Sequence, residues 1–376
     1  MKMDFRTISL AVITLIISFS SVAHNDEAYN HDGGPVANNP DWMSRLNGNQ
    51  RLSELSLPGT NGTMVINQGT DIVQTQAMSL RDQLNSGIRV LDIRVRHKEN
   101  TLKLYHQTVS LNGSFGKDVL QVIDQFLTEH PTETVVFRLT SLDHWLRPLG
   151  KNGNTRSLWK TLDADLAKYG SKRWVPTTNN PTLNEIRGSF VIIQDTKIRS
   201  LGGGYYYSEY EEEPSSNGFP FGILISAINI QQNVRQDYMN TNWKLYEKWI
   251  AIKNHIDEAN KSDEGRFFMN FLSSNHGPTN IGVFPYFVVS GHSSPQTSAP
   301  RLLTGLTTPG WSHMYPEFPR VSCFIGICSI AFEGTNTLTA DYIAGQKGRV
   351  GMIMTDFPGK RLIENIINLN DLYLSY

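Results

Sequence analysis

Strand signals and helix signals alternate along this chain with no linker to separate them, and that alternation is its strongest constraint. "IRVLDIRVR", "TLKLYHQ", "ETVVFRLTSL", "GSFVIIQD", "GILISAINI", "RFFMNFLSS" and "RVGMIMTDF" are short, β-branched or aromatic runs that predict strands. "LSELSL" predicts a further short strand that ends at a tight Pro-Gly-Thr turn. Between them lie amphipathic stretches. In "FGKDVLQVIDQFLTEHP", Val119, Leu120, Ile123, Phe126 and Leu127 share one helical face. "QAMSLRDQLNSG", "SLWKTLDADLAKYG", "NWKLYEKWIAIKNHIDEAN" and "GKRLIENIINLN" also predict helices, the first two stopped by Gly87 and Gly170. Strand, helix, strand, helix is the order of a parallel α/β fold. One unbroken run favours a single (β/α) TIM-like barrel over residues 41–376 rather than an open sheet in two halves. Residues 277–340 break the rhythm. They are rich in Pro, Ser and Gly, and predict a long loop region over one end of the barrel.

The N-terminus has a different character. Lys2 and Arg6 precede an apolar run from Ile8 to Ile17, and Ser21-Val22-Ala23 offers a small-residue cleavage site. This three-part form predicts a signal peptide over residues 1–23, and therefore a secreted protein. The polar residues 24–40 that follow predict a flexible lead-in. Secretion permits a disulfide between the chain's two cysteines, Cys323 and Cys328, whose spacing suits a bridge across a short loop or hairpin. Two cysteines without a histidine cluster give no zinc site, and the reading expects no metal and no cofactor. Asn61, Asn112 and Asn260 head glycosylation sequons, and a glycan at the first would block the candidate site described next. Lys plus Arg total 34 against 35 Asp plus Glu, a balance that excludes the basic surplus nucleic-acid binding needs. Nothing in the sequence specifies an oligomer, and a monomer is the expectation.

Chemistry in such barrels sits at the carboxyl ends of strands. That singles out Asn61 after the first strand, Asp92 and Arg94 in "DIRVR", His106 after "LKLY", and Asp356 after "VGMIM". Asp92 and Arg94 are two residues apart and share a face, either as a structural ion pair or as an anion clamp. A guanidinium, a histidine and carboxylates together suit phosphate ester chemistry: arginine stabilises an oxyanion on phosphorus, and histidine protonates a leaving alkoxide. His97, in the charged stretch "HKEN", reads as solvated.

These stretches, in order from about Trp42 to Asp356, resemble the bacterial-type phosphatidylinositol-specific phospholipase C family, the X-domain fold. The resemblance rests on "LSELSLPGT", "QLNSGIRVLDIRVR", "LKLYHQ", "VLQVIDQFLTEHPTETVVF" and "RVGMIMTDF". It implies a distorted (β/α) barrel and a phospholipid partner met transiently at a membrane surface. It also implies a reaction in which one histidine deprotonates the inositol 2-hydroxyl and a second protonates the departing diacylglycerol. On that resemblance His106 matches the general acid, Arg94 a metal-replacing arginine with Asp92 beside it, and Asp356 the carboxylate behind a catalytic histidine. The general-base histidine falls on Asn61 and the aspartate after it on Gly62. Polar headgroup positions fall on Thr140, Asp195, Gln232 and Val234, none of which is the family's residue. Two readings follow: a phosphodiesterase impaired by Asn61, or a catalytically dead barrel that binds lipid headgroups or a protein. Trp311, Tyr315 and Phe318 are the expected membrane contacts.

Overall fold

The structure is a computed structural model that describes residues 27–68, 71, 73–143, 152–194, 223–224, 228–231, 242–262, 265–273, 284–292, 303–307, 315–325 and 327–371. Residues 1–23, where the sequence predicts a signal peptide, and Asp195, Gln232, Val234 and Trp311 lie outside them.

Eight parallel strands form the frame. They are β1 (Leu57–Thr60), β2 (Val90–Lys98), β5 (Thr134–Ser141), β6 (Ser189–Gln194), β7 (Ile223–Leu224), β8 (Ile228–Gln231), β9 (Phe267–Phe271) and β13 (Met352–Thr355). Their order is β7-β6-β5-β2-β1-β13-β9-β8. The hairpin of β3 (Thr101–His106) and β4 (Val109–Ser114) extends β2 antiparallel. The helices Leu80–Ser86, Gln121–Glu129, Leu158–Tyr169, Asn242–Lys261 and Lys360–Asn368 stand where the periodicity predicts them. The sheet is strongly curled. The Arg138 guanidinium of β5 lies 5.9 Å from the Phe271 ring of β9, although three strands separate them in the sheet. A flat sheet would hold those strands about 19 Å apart. The frame is thus a mixed α/β, TIM-like barrel, with no ladder between β7 and β8 among the described residues.

Three sequence expectations need correction. The first strand is not "LSELSL" but Leu57–Thr60, so Pro58 and Gly59 lie inside it rather than in a turn. Gly59 is required by close approach: a Cβ there would stand 2.5 Å from Met354 Sδ and 2.9 Å from Val90 Cβ. The short 3-10 turn Leu52–Glu54 takes the place of the expected strand. The described part of the lead-in is fastened down. Ala28 is buried, Tyr29 bridges to Pro358, and Asn30 N–H donates to Phe357 O at 2.9 Å. The expected loop 277–340 contains ordered structure. It holds the helices Pro285–Ser290 and Thr335–Ile343 and an antiparallel sheet of β10 (Leu303–Thr307), β11 (Arg320–Phe324) and β12 (Ile327–Ala331). Pro, Ser and Gly content signals turns, but short antiparallel strands between such turns carry little periodicity of their own. Cys323 and Cys328 are bridged across the β11–β12 turn.

Candidate active site

The carboxyl ends of β13 and β1 lie beside the first half of β2, and together these strands bring four of the five sequence candidates into one hydrogen-bonded cluster. Asn61 follows β1 directly, and its N–H donates to Thr355 O at 2.9 Å. Gln76 Nε2 donates to Asn61 O at 2.8 Å and to Thr355 O at 3.1 Å, which locks both backbones. The Asn61 side chain is 2% exposed and spans two partners. Its Nδ2 donates to Asp356 Oδ1 at 2.9 Å, and its Oδ1 accepts from Arg94 Nη2 at 2.8 Å. An amide offers one donor face and one acceptor face, so this pairing fixes its orientation. Its burial also leaves no room for a glycan on Asn61 in the folded chain. Asn112 is exposed and Asn260 half-buried.

Arg94 and Asp92 form the expected ion pair, with Arg94 Nε donating to Asp92 Oδ2 at 2.8 Å. Gly62 N–H donates to the same oxygen at 3.2 Å. A second guanidinium, Arg138, approaches Asp92 Oδ1 at 3.6 Å from β5, where it sits in register beside Asp92. Burial by itself raises the Asp92 carboxyl, but Arg94, Arg138 and the Gly62 amide outweigh it and hold it below the ordinary value. Arg138 is the residue that sequence reasoning missed. "VVFRLTSL" reads as a buried strand, and its register against Asp92 is not visible in a linear pattern.

Asp356 behaves in the opposite way. Burial drives its carboxyl up to about 7, against the lowering effect of the Asn61 hydrogen bond and Arg94. Its Oδ2 has no hydrogen-bond partner among the described residues. Lys248, from the Asn242–Lys261 helix, is also buried, and its Nζ donates to Phe271 O at 2.6 Å. Burial lowers that ammonium to about 7. The folded state therefore holds a proton on Asp356 that the unfolded chain, with an ordinary carboxyl near 3.8, releases. Stability from this group falls as pH rises from about 4 to about 7 and is flat above that. Lys248 acts on the other side, its penalty fading as pH rises from about 7 toward its ordinary value. Chemical denaturation of Asp356→Asn should lack the decline between pH 5 and pH 7 that the parent shows. An equal decline in both proteins would place the titration elsewhere.

His106 ends β3. The β2–β3 ladder stops at Val95↔Leu104, and His106 pairs instead with Val109 of β4. It is therefore carried on the adjoining hairpin, 7% exposed. His97 is not solvated, as its charged neighbours suggest. It is buried, its Nε2 lies 2.8 Å from Thr161 Oγ1, and burial lowers it to about 4. That environment suits a structural neutral imidazole.

Gly62 has φ +52°, and a Cβ there would meet Thr75 Oγ1 at 2.9 Å. Gly62→Asp should cost about 1–2 kcal/mol in a denaturant titration, through left-handed strain and this contact. An unchanged midpoint would show that the turn adapts freely. Among the described residues no three His, Cys, Asp or Glu side chains are arranged to hold a metal ion.

A curled parallel sheet thus carries an arginine–carboxylate cluster built from β1, β2 and β13, with a histidine on the adjoining hairpin. Residues 59–196 match the family phosphatidylinositol-specific phospholipase C, X domain. A 1-phosphatidylinositol phosphodiesterase of Listeria monocytogenes is 27% identical over 97% of this chain and 97% of its own length. A second, from Staphylococcus aureus, is 24% identical over 83% of this chain and 92% of its own. The solved phosphatidylinositol-specific phospholipase C from Listeria monocytogenes superposes with a TM-score of 0.59 at 22% identity, covering 89% of this chain and 99% of that one. That match spans residues 59–196, and through it the chain is similar to the phosphatidylinositol-specific phospholipase C X-domain family.

Proposed function

We propose that this is a secreted phospholipase C-like protein whose barrel mouth receives a phosphatidylinositol-type headgroup and cleaves its phosphodiester slowly. The observation that carries the reading is Asn61, a buried amide fixed between Arg94 and Asp356 where the family resemblance expects a base. In the implied reaction the inositol 2-oxygen attacks phosphorus as its proton leaves, the bond to the diacylglycerol oxygen breaks, and His106 supplies the proton that oxygen takes. Arg94, with Arg138 behind Asp92, supplies positive charge near the phosphate oxygens. Asn61 can hold the attacking hydroxyl but cannot accept its proton. Its proton must then pass to water or a distant group, and a missing base typically costs about 10²–10⁴ in rate.

A second reading is a headgroup-binding barrel without turnover. It is favoured by the engagement of Arg94, whose Nε and Nη2 are already occupied by Asp92 and Asn61. The test is phosphatidylinositol cleavage by the purified mature protein, with EDTA present, beside its Asn61→His variant. A parent rate equal to that of an intact family member would sink the proposal that Asn61 impairs catalysis. Secretion is proposed from the leader-like N-terminus and agrees with the Cys323–Cys328 bridge. No described helix is long and apolar enough to cross a membrane, and contact with lipid is proposed to be transient.

A further inference from the structure

Phe357 follows Asp356 directly and holds a backbone conformation that its side chain disfavours. Its φ is +45°, a left-handed value that glycine or asparagine adopts readily and a bulky aromatic residue does not. Pro358 comes next and restricts that backbone further. Strain of this kind persists only where the surroundings impose it, and it gathers at functional sites.

The surroundings here come largely from residues 27–31, near the N-terminus. Asn30 N–H donates to Phe357 O at 2.9 Å, Gly359 N–H to Ala28 O at 3.0 Å, and Arg361 N–H to Glu27 O at 2.9 Å. Tyr29 and Pro358 complete the antiparallel match. The approach is close enough that a Cβ on Gly359 would stand 2.2 Å from Glu27 O. The His31 ring stacks on the Phe357 ring, with centroids 5.0 Å apart and planes inclined at 22°. Tyr286 meets Phe357 edge-on at 5.5 Å and His31 at 5.0 Å. From the segment after β1, Thr75 O accepts from Phe357 N–H at 2.9 Å. A separate aromatic group surrounds Phe318, which is 3% exposed with Tyr315 stacked on it and so is not the free membrane contact the sequence suggests.

The backbone of Asp356 is thereby fixed on both sides. Its carbonyl accepts from Asn336 Nδ2 at 3.1 Å and from Thr355 Oγ1 at 2.9 Å. Just before it, Thr355 O accepts from Asn61 N–H and Gln76 Nε2. The carboxyl is delivered, wholly buried, to Asn61 Nδ2. The charged groups that face it are Arg94 and Asp92 from β2 and Lys248 from the Asn242–Lys261 helix. Those that face His31 are Asp71 and Asp32, and burial outweighs both and lowers the imidazole from its ordinary value.

We propose that residues 27–31 are a strap that clamps Phe357 in its left-handed turn and so holds the Asp356 carboxyl buried against Asn61, with His31 as the positioning residue. The effect on cleavage rests on the function proposed above, whereas the placement of Asp356 does not.

The test compares the mature protein with two variants. Asn30→Pro, His31→Ala removes the amide donor and the stacked ring, and His31→Phe keeps a ring in the stack. Each is followed by chemical denaturation from about pH 5 to about pH 7 and by phosphatidylinositol cleavage. The double variant should lose the decline in stability that a buried Asp356 produces over this range, because its carboxyl returns toward the ordinary value. His31 itself titrates the other way. Lowered by burial from 6.5, it makes stability rise with pH, so removing that titration alone would steepen the decline. The kcat of the double variant should fall about tenfold to a hundredfold with KM unchanged. His31→Phe should keep the parent's kcat and a decline at least as steep. If the double change lowers the melting temperature, His31→Ala alone carries the comparison, since it leaves the backbone bonds in place. A lower melting temperature with the parent's pH profile and kcat would make the strap merely structural and overturn the proposal. Equal losses in His31→Phe overturn it too, as does a parent with no decline, which has no sequestered Asp356 to hold. If no protein cleaves while the pH profiles differ as stated, the cleavage reading fails and the strap stands.

Discussion

Asn61→His is expected to raise phosphatidylinositol cleavage by about 10²–10⁴-fold over the parent, in the presence of EDTA. Asn61 Nδ2 already donates to Asp356 Oδ1, and an imidazole Nδ1–H can take that role. The ring then presents Nε2 farther out, toward the mouth, as a proton acceptor. The substitution also removes the amide oxygen that accepts from Arg94 Nη2, releasing that donor toward a phosphate oxygen. A cationic imidazole beside Asp356 would draw its carboxyl down from about 7 and make it a better partner for the charged ring. Two other outcomes are informative. A parent that already cleaves, with little added by histidine, means another group takes the proton. Silence from both proteins means the pocket has drifted, and Thr140 is the first place to look.

The site was readable in the chain only as far as linear spacing reaches. Asp92 and Arg94 are two residues apart on a strand, so their shared face and their pairing follow from period-two alternation. Asn61 and Asp356 sit 295 residues apart, and only the β1–β13 ladder brings them together. Nothing local announces that ladder, and it was anticipated only through the family resemblance. Arg138 escaped for the same reason: its role depends on register against Asp92 and on the curl that brings Phe271 over it. His97 was misjudged because its neighbours Lys98 and Glu99 are charged, whereas its burial depends on Thr161 from a helix far along the chain. Pro58 and Gly59 looked like a turn because those residues usually punctuate. Here Gly59 is demanded by the closeness of Met354 and Val90, a constraint from neighbouring strands.

The largest loss of stability is expected at the opposite edge of the barrel, from Glu133→Ala. Arg89 and Glu133 precede β2 and β5, and both side chains are wholly buried. Arg89 Nη2 donates to Glu133 Oε2 at 2.7 Å and Nε at 3.1 Å. The remaining guanidinium donors reach the carbonyls of Leu84, Ile88, Asn39 and Pro40. Glu133 also accepts from Met43 N–H. Burial lowers the Arg89 guanidinium from its ordinary value and Glu133 opposes that, so removing the carboxylate leaves a cation with carbonyl dipoles alone for compensation. Such a truncation costs about 3–5 kcal/mol, against about 5–15 kcal/mol for the stability of a typical domain. A denaturant midpoint that moves by less than about 1 kcal/mol would show that the carbonyl cage suffices. The double change Arg89→Met, Glu133→Leu should recover most of the loss, because it removes both charges while keeping volume against Trp42 and Phe126, over whose rings Arg89 now lies. Since this pair stands at the amino ends of the strands, the recovered protein should keep the headgroup affinity of the parent. A recovered fold with lost affinity would mean that the two edges of the barrel are coupled.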